Sequence, residues 1–235
     1  MKRRQFDEKS ATDRFGDCHG LGASSATAGI VGFEAESGTF VPPTPSGSVY
    51  NVVSDAAASG GVAIEPSAAN FGMGADNASV VHEVDFPEAG VYYLYARITQ
   101  NLNAGTSSVD FRTSISTFPT TPITNGNLVN IWGSFTGVTD VTGTTFAPAT
   151  YSVFNLSTGP ILANGLGSPT TYEVLSAGTQ FFQLSNRNAN VVIDGFVFST
   201  DEFLTEEEFL AAVPEPASLA LVMAGIGLIG ARRRG

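Results

Sequence analysis

The fold class is indicated most directly by residues 79–99, which read SVVHEVDFPEAGVYYLYARIT. Two runs of alternating apolar and polar residues flank the turn cluster Pro87-Glu88-Ala89-Gly90, and alternation over about four to eight residues is typical of a half-buried β-strand. The side chains predicted to share one face are Val80, His82, Val84 and Phe86 in the first run, and Tyr92, Leu94, Ala96 and Ile98 in the second. We therefore predict two neighbouring strands whose apolar faces enter the core.

Further apolar runs, separated by turn clusters, predict most of the remaining strands. They cover residues 31–36, 108–116, 128–135, 151–156, 180–186 and 191–198. The interval 29–199 is long enough for one domain with its own core. We predict that it folds as an all-β sandwich or barrel.

Helical character is confined to a short acidic segment after the last predicted strand. Thr205 is a suitable N-cap for a helix that begins with Glu206, Glu207 and Glu208. We predict that residues 200–212 form an acidic helical linker to the C-terminal tail.

Composition excludes one class of partner. The chain has 22 acidic and 11 basic residues, and a protein that neutralises nucleic-acid phosphates needs a basic face, so no nucleic-acid partner is predicted. The single cysteine, Cys18, lies outside the interval 29–199. The predicted domain is therefore held together without a disulfide bond, by packing and by any bound metal.

An enzymatic function is not predicted. His82 is the only histidine after residue 28, and on its predicted face it is either a core imidazole with a hydrogen-bond partner or a ligand or base. Neither a Gly-x-Ser-x-Gly elbow nor a zinc-type ligand spacing accompanies it. A glycosidase that uses two carboxylates stays open, because their separation is not visible in a sequence.

The tail, residues 213–235, has three consecutive parts. A Pro-Glu-Pro triplet precedes an apolar run over residues 217–231, and three arginines follow. The run is shorter than the roughly 20 residues that cross a bilayer comfortably, and the arginines would hold its end on the cytoplasmic side. The alternative is a buried C-terminal hairpin or helix.

This tail resembles a PEP-CTERM sorting signal of Gram-negative bacteria. The resemblance implies recognition and removal of the tail by an exosortase, a hydrophobic C-terminal transmembrane helix, a transient inner-membrane intermediate, and a final location at the cell surface or in the extracellular matrix. The residues that carry the motif are Pro214, Glu215, Pro216, Arg232, Arg233 and Arg234.

The N-terminal region, residues 1–28, departs from what export requires. Charged residues occupy residues 7–17, where a signal peptide has its apolar core. Ala26-Thr27-Ala28 nevertheless matches a cleavage site of small residues. The region is either a mis-assigned leader or a disordered segment.

A second resemblance extends over the predicted domain. Its motifs are residues 33–38 (FEAESG), 57–61 (AASGG), 84–97, 177–184 and 192–198 (VIDGFVF). In this order they resemble the galactose-binding-like β-sandwich, or jelly roll, of carbohydrate-binding modules attached to xylanases and other glycoside hydrolases. The resemblance implies a jelly-roll fold.

The first and last motifs contain acidic residues that suggest a cation. Glu34 and Glu36 alternate in the first predicted strand, which puts both carboxylates on one face with either a cation or water between them. Asp194 lies in the final strand, which in a jelly roll commonly runs beside the first. The resemblance implies a structural calcium ion at Glu34, Glu36 and Asp194, and calcium takes about six to eight oxygen ligands.

The resemblance also implies a glycan site with a stacking ring and an asparagine. Trp132, the only tryptophan, is the candidate for stacking, although a single tryptophan in a sandwich is often a core residue. Asn188 and Asn190 precede the last strand and are candidates for polar contacts, although the family's asparagine stands nearer the aspartate.

Two functions follow from these observations. The first is an exported, non-catalytic protein whose domain binds polysaccharide, specifically the producer's own exopolysaccharide. The alternative is a structural matrix or biofilm protein that acts through protein contacts without a sugar site.

Overall fold

A computed structural model describes residues 29–41, 49–67, 79–100, 111–113, 118, 130–132, 138–157, 171–186 and 191–213. Strands dominate these residues. The elements are β1 (Ile30–Glu34), β2 (Thr39–Val41), β3 (Tyr50–Ser54), β4 (Val62–Pro66), β5 (Ser79–Phe86), β6 (Gly90–Gln100), β7 (Phe111–Thr113), β8 (Asn130–Trp132), β9 (Ser152–Asn155), β10 (Tyr172–Val174), β11 (Gly178–Asn186), β12 (Val191–Ser199) and α1 (Glu206–Ala212).

The strands form two antiparallel sheets. One has seven strands in the order β10-β6-β12-β4-β3, with β1 also paired to β12 and β9 to β6; the other has five in the order β2-β5-β11-β7-β8. A single apolar cluster contains buried residues of both sheets, such as Leu184 from β11 and Ile98 from β6. Two sheets that share one core form a sandwich, so the predicted all-β sandwich is confirmed, and so is the pairing of its first and last strands.

The alternation predicted for β5 and β6 is confirmed. Both predicted faces lie in the shared core, and His82 among them is 2% exposed. Rings from the two sheets meet there: the centroid of Phe182 lies 5.3 Å from that of Phe196 and 5.3 Å from that of Phe198. Burying each such ring contributes about 1.5–3 kcal/mol, which makes this layer a main source of stability.

Strand β12 is buried along all nine residues because both of its faces are covered. Ile193, Phe196 and Phe198 face the core between the sheets, whereas Val197 packs in a second cluster on the outer face of the seven-stranded sheet. The register with β6 shifts between Ile193 and Gly195. This bulge resets the alternation and leaves Asp194 at the irregular position.

The predicted helix is confirmed as α1, and a capping box closes its start. The Thr205 hydroxyl accepts from the Glu208 amide, and the Glu208 carboxylate accepts from the Thr205 amide. Phe209 and Val213 are buried against the outer face of the sheet. A Cβ atom added to Gly32 would lie 2.5 Å from the Ala212 carbonyl oxygen, so the helix end rests directly on β1. Residues 200–213 thus pack as part of the sandwich.

Four strands were not predicted from the sequence, and two predicted regions lie outside the described residues. Strands β2, β3, β4 and β10 were not predicted, because they are only three to five residues long and show little alternation. None of the helices among the described residues is long and apolar enough to cross a membrane. The predicted leader region, residues 1–28, and the predicted C-terminal hydrophobic helix, apart from Val213, lie outside the described residues.

Candidate functional site

A cleft of about 520 Å³ opens on the outer face of the seven-stranded sheet. Thr99 and Val192 line it, whereas their sequence neighbours Ile98 and Ile193 point into the core. The volume falls within the range of about 300–1,000 Å³ that is usual for small-molecule sites. Carboxyl, amide and hydroxyl groups are interspersed with apolar side chains in the lining, which comprises Val53, Ser54, Asp55, Ala57, Glu65, Thr99, Gln100, Ala149, Tyr151 and Val192.

Tyr151 is held rigidly in the wall of this cleft. Its hydroxyl donates to Asp55 Oδ2 over 3.0 Å, and the Arg97 guanidinium lies 4.7 Å from its ring centroid in a cation–π contact. Burial, and next the hydrogen bond to Asp55, raise the pKa of Tyr151 far above its ordinary value. The phenol is therefore a neutral, fixed group.

Arg97 connects the cleft wall to the last strand. Its Nη1 donates to Asp194 Oδ2 over 2.5 Å, and its Nη2 donates to the Ala57 carbonyl over 3.2 Å. Asp194 Oδ1 accepts from the Ser59 amide over 2.8 Å. Burial raises the pKa of Asp194, although Arg97 counteracts it. The pair fixes the turn over residues 55–61, in which Gly60 and Gly61 have a positive φ that glycine adopts readily.

Two features of the cleft are unfavourable in the protein alone. Thr99 is 5% exposed, and its hydroxyl has no hydrogen-bond partner within the described part of the chain. A buried polar group without a partner costs about 1–3 kcal/mol. Ala149 has a φ of 61°, which is unfavourable for a residue with a Cβ atom. Unsatisfied polar groups and strained backbone concentrate at functional sites.

The predicted cation residues Glu34 and Glu36 lie at the end of β1. The prediction that both belong to one strand is wrong, because β1 ends at Glu34 and Glu36 lies in a 3-10 turn, Ala35–Ser37. The Ser37 hydroxyl donates to the Glu34 carbonyl over 2.7 Å and stabilises this turn. The alternation that the sequence suggests therefore stops at Glu34, two residues before Glu36.

The carboxylate of Glu34 is in an unusual state. The residue is 4% exposed, and within the described part of the chain neither carboxylate oxygen has a hydrogen bond of normal geometry. Burial raises the pKa of Glu34 to about 8; the nearby Ser59 side chain opposes the shift, whereas Glu36 and Asp194 add to it. Oε2 of Glu36 is also buried and has no hydrogen-bond partner among the residues that the structure describes, and burial likewise raises the pKa of Glu36.

These orphaned oxygens suit a hard cation, which prefers carboxylate ligands. Asp194, the third predicted ligand, is already paired with Arg97. Among the residues that the structure describes, no group of three or more His, Cys, Asp or Glu side chains could hold a metal ion. Glu34 and Glu36 are therefore the remaining candidates for cation ligands, whereas Asp194 is the ion-pair partner of Arg97.

The predicted glycan residues are placed only in part. Trp132 ends β8, where it is paired with Phe111 of β7 at one end of the five-stranded sheet order; its side chain, and both Asn188 and Asn190, lie outside the described residues. The cleft residues were not predicted. The sequence gives one signal of them, which is the break in alternation between Ile193 and Phe196. With both of these residues in the core, Val192 and Asp194 point to the outer face.

Three solved structures resemble this chain at low sequence identity. Isomalto-dextranase of Arthrobacter globiformis T6 complexed with panose is 11% identical, with a TM-score of 0.43 over 72% of this chain and 23% of that chain. A GH26-CBM35 β-(1,4)-mannanase of Podospora anserina is 12% identical, with a TM-score of 0.43 over 74% and 28%. CsCBM6-3 of Clostridium stercorarium in complex with cellobiose is 18% identical, with a TM-score of 0.39 over 72% and 93%. The chain thus spans about a quarter of the first of these proteins.

Sequence comparison identifies the tail. None of the curated proteins matches the chain. Residues 212–234, however, match the family model of the PEP-CTERM protein-sorting motif. This chain therefore carries a PEP-CTERM sorting motif, which implies export, transient anchoring in the membrane through the tail, and processing by an exosortase.

Proposed function

We propose that this exported protein is a non-catalytic glycan-binding protein whose cleft on the outer face of the seven-stranded sheet holds a sugar unit of the producer's exopolysaccharide. The observation that carries the proposal is the cleft itself, with a rigid Tyr151 among mixed polar and apolar groups. The existing hydrogen bonds of Tyr151 and Arg97 form this wall before any ligand arrives, so little ordering cost accompanies binding.

The lining suits a polyhydroxylated ligand. Glu65 provides a carboxylate acceptor for sugar hydroxyls, and charge-assisted hydrogen bonds of this kind are stronger than neutral ones. Val53 and Val192 provide apolar surface for the C–H groups of a pyranose ring. The two charged residues in the lining, Asp55 and Glu65, are both acidic. The cleft therefore favours neutral or amino sugars over uronic acids.

Binding rather than catalysis fits the state of the candidate acid and base groups. Asp55 is occupied on both oxygens, by the Tyr151 hydroxyl and by the Ala57 amide over 3.0 Å. His82 lies in the core, where its Nε2 contacts the Ala35 carbonyl over 3.0 Å, and burial lowers its pKa to about 4. An inaccessible, neutral imidazole is unsuited to act as a catalytic base on a bound glycan.

Calcium is the second part of the proposal. Glu34 and Glu36 would supply carboxylate ligands, completed by backbone carbonyls and water. A cation there would compensate the burial of both carboxylates. It would also stiffen the turn that forms one side of the cleft, because Ser59 lies beside Glu34 and donates its amide to Asp194.

The test is a glycan array followed by calorimetry on residues 29–213, in the presence of calcium and of a chelator. Asp55→Ala and Glu65→Gln should weaken binding, whereas Glu173→Gln, which changes an exposed acid on β10, serves as the matched control. If Trp132→Ala alone abolishes binding, the cleft assignment is wrong. If no polysaccharide binds, the alternative of a structural matrix or biofilm protein replaces this proposal.

A further inference from the structure

The sorting motif begins at the surface of the folded sandwich, without an intervening linker. Val213 is 2% exposed and packs in the same cluster as Leu204 and Tyr95. Its amide donates to the Phe209 carbonyl over 3.1 Å. The Pro-Glu-Pro triplet starts at the next residue, so its N-terminal side is fixed to the domain.

Chain length then limits how far the domain can be from the membrane. Three residues, 214–216, separate Val213 from the apolar run that starts at Ala217. Four residue steps span at most about 14 Å when fully extended. While the tail is anchored in the bilayer, the surface around Val213 must therefore lie next to the membrane and to the membrane-embedded exosortase.

That surface carries an exposed aromatic residue that the fold does not use. Phe203 is 80% exposed, although the adjacent Leu204 is buried in the cluster of Val213. Beside it lies a hollow of about 240 Å³, which Tyr95, Val141 and Asn155 help to line. An exposed aromatic side chain next to a small concavity is a common anchor of protein interfaces. We call Phe203 and this hollow the 203 surface.

Charge decides between a protein and a lipid partner. Asp201 and Glu202, which precede Phe203, are exposed, as is Glu207 in α1, and the described residues 200–213 contain no basic residue. Anionic lipid headgroups repel such a surface. A protein with basic and apolar groups near the membrane is complementary to it.

We propose that the 203 surface docks on the exosortase and aligns the Pro-Glu-Pro triplet for cleavage, so that recognition extends beyond the tail into the folded domain. The segment between the domain and the apolar run, residues 214–216, is short, and Val213 before it is buried in the outer cluster. Docking therefore adds binding energy without a large loss of chain entropy.

The first test is photo-crosslinking in cells that express the full chain together with the exosortase. A benzophenone amino acid at position 203 should give an adduct with the exosortase. The same amino acid at position 52 should not, because Val52 is exposed on β3, at the end of the seven-stranded sheet that is far from β6. Adducts with lipid alone, or equal yields at both positions, would overturn the proposal.

The second test is the rate of tail removal. Phe203→Ser should slow processing about tenfold, as expected when an aromatic anchor is lost, without changing the unfolding midpoint, and Val52→Ser should leave the rate unchanged. Insertion of a ten-residue Gly-Ser segment after Val213 should also slow processing, because it uncouples the docked surface from the triplet. Wild-type rates for both Phe203→Ser and the insertion would show that the tail alone is recognised.

Discussion

Arg97 and Asp194 form an ion pair between neighbouring strands β6 and β12, with 2.5 Å between Nη1 and Oδ2 and with the Asp194 side chain completely buried. The bulge in β12 makes this contact, because the register shift opposite Arg97 leaves Asp194 between two regular pairs. The same arginine holds Tyr151 and the Ala57 carbonyl. The pair thus joins the core strands to the proposed cleft.

Removal of the arginine should be strongly destabilising. Arg97→Met leaves the Asp194 carboxylate buried without its partner, and loss of one member of a buried pair costs about 3–5 kcal/mol. Urea unfolding would measure the change in the free energy of unfolding. The double variant with Asp194→Asn should recover part of the loss; if the single variant unfolds like the wild type, the pair has no structural role.

Acid should destabilise the protein through His82. Burial lowers its folded pKa from the model-peptide value of 6.5 to about 4, so between these pH values the unfolded state binds a proton that the folded state does not. Stability contributed by His82 is therefore complete above pH 6.5 and falls as the pH decreases toward 4. His82→Phe should show a smaller decrease in its urea midpoint over this window. Parallel curves for the two proteins would contradict the prediction.

Glu34 should produce the opposite dependence when calcium is absent. Its folded pKa is raised from 4.5 to about 8, so its contribution to stability is complete below pH 4.5 and is lost as the pH rises toward 8. In the presence of a chelator, the melting temperature of the wild type should therefore decrease between pH 4.5 and pH 8. The Glu34→Gln variant should lack this decrease. Calcium should raise the melting temperature of the wild type at pH 8 more than at pH 5. No calcium effect at pH 8 would exclude the proposed cation site.

The sequence predicts elements whose alternation is regular, and it fails where local geometry interrupts a pattern. The core-facing residues of β5 and β6 were predicted because the alternation continues along each of the two strands. Glu36 was misplaced because a hydroxyl of Ser37 turns the chain after Glu34. The cleft was missed because it depends on the contacts of Arg97, which join residues far apart in the sequence.

The stability of the domain should depend on residues 200–212, which the sequence assigns to a linker, and on Val213, which follows them. Phe209 is completely buried, whereas its neighbour Leu210 is 40% exposed. Phe209→Ala should therefore destabilise the protein by about 3–5 kcal/mol, as expected when a buried ring leaves a cavity, and Leu210→Ala should change little because it removes a partly solvated side chain. A fragment that ends at Ser199 should be less stable than one that ends at Val213, since it exposes Tyr95 and Val197 of the outer cluster. Equal urea midpoints for the two fragments would return these residues to the linker and would also remove the rigid anchor that positions the sorting motif.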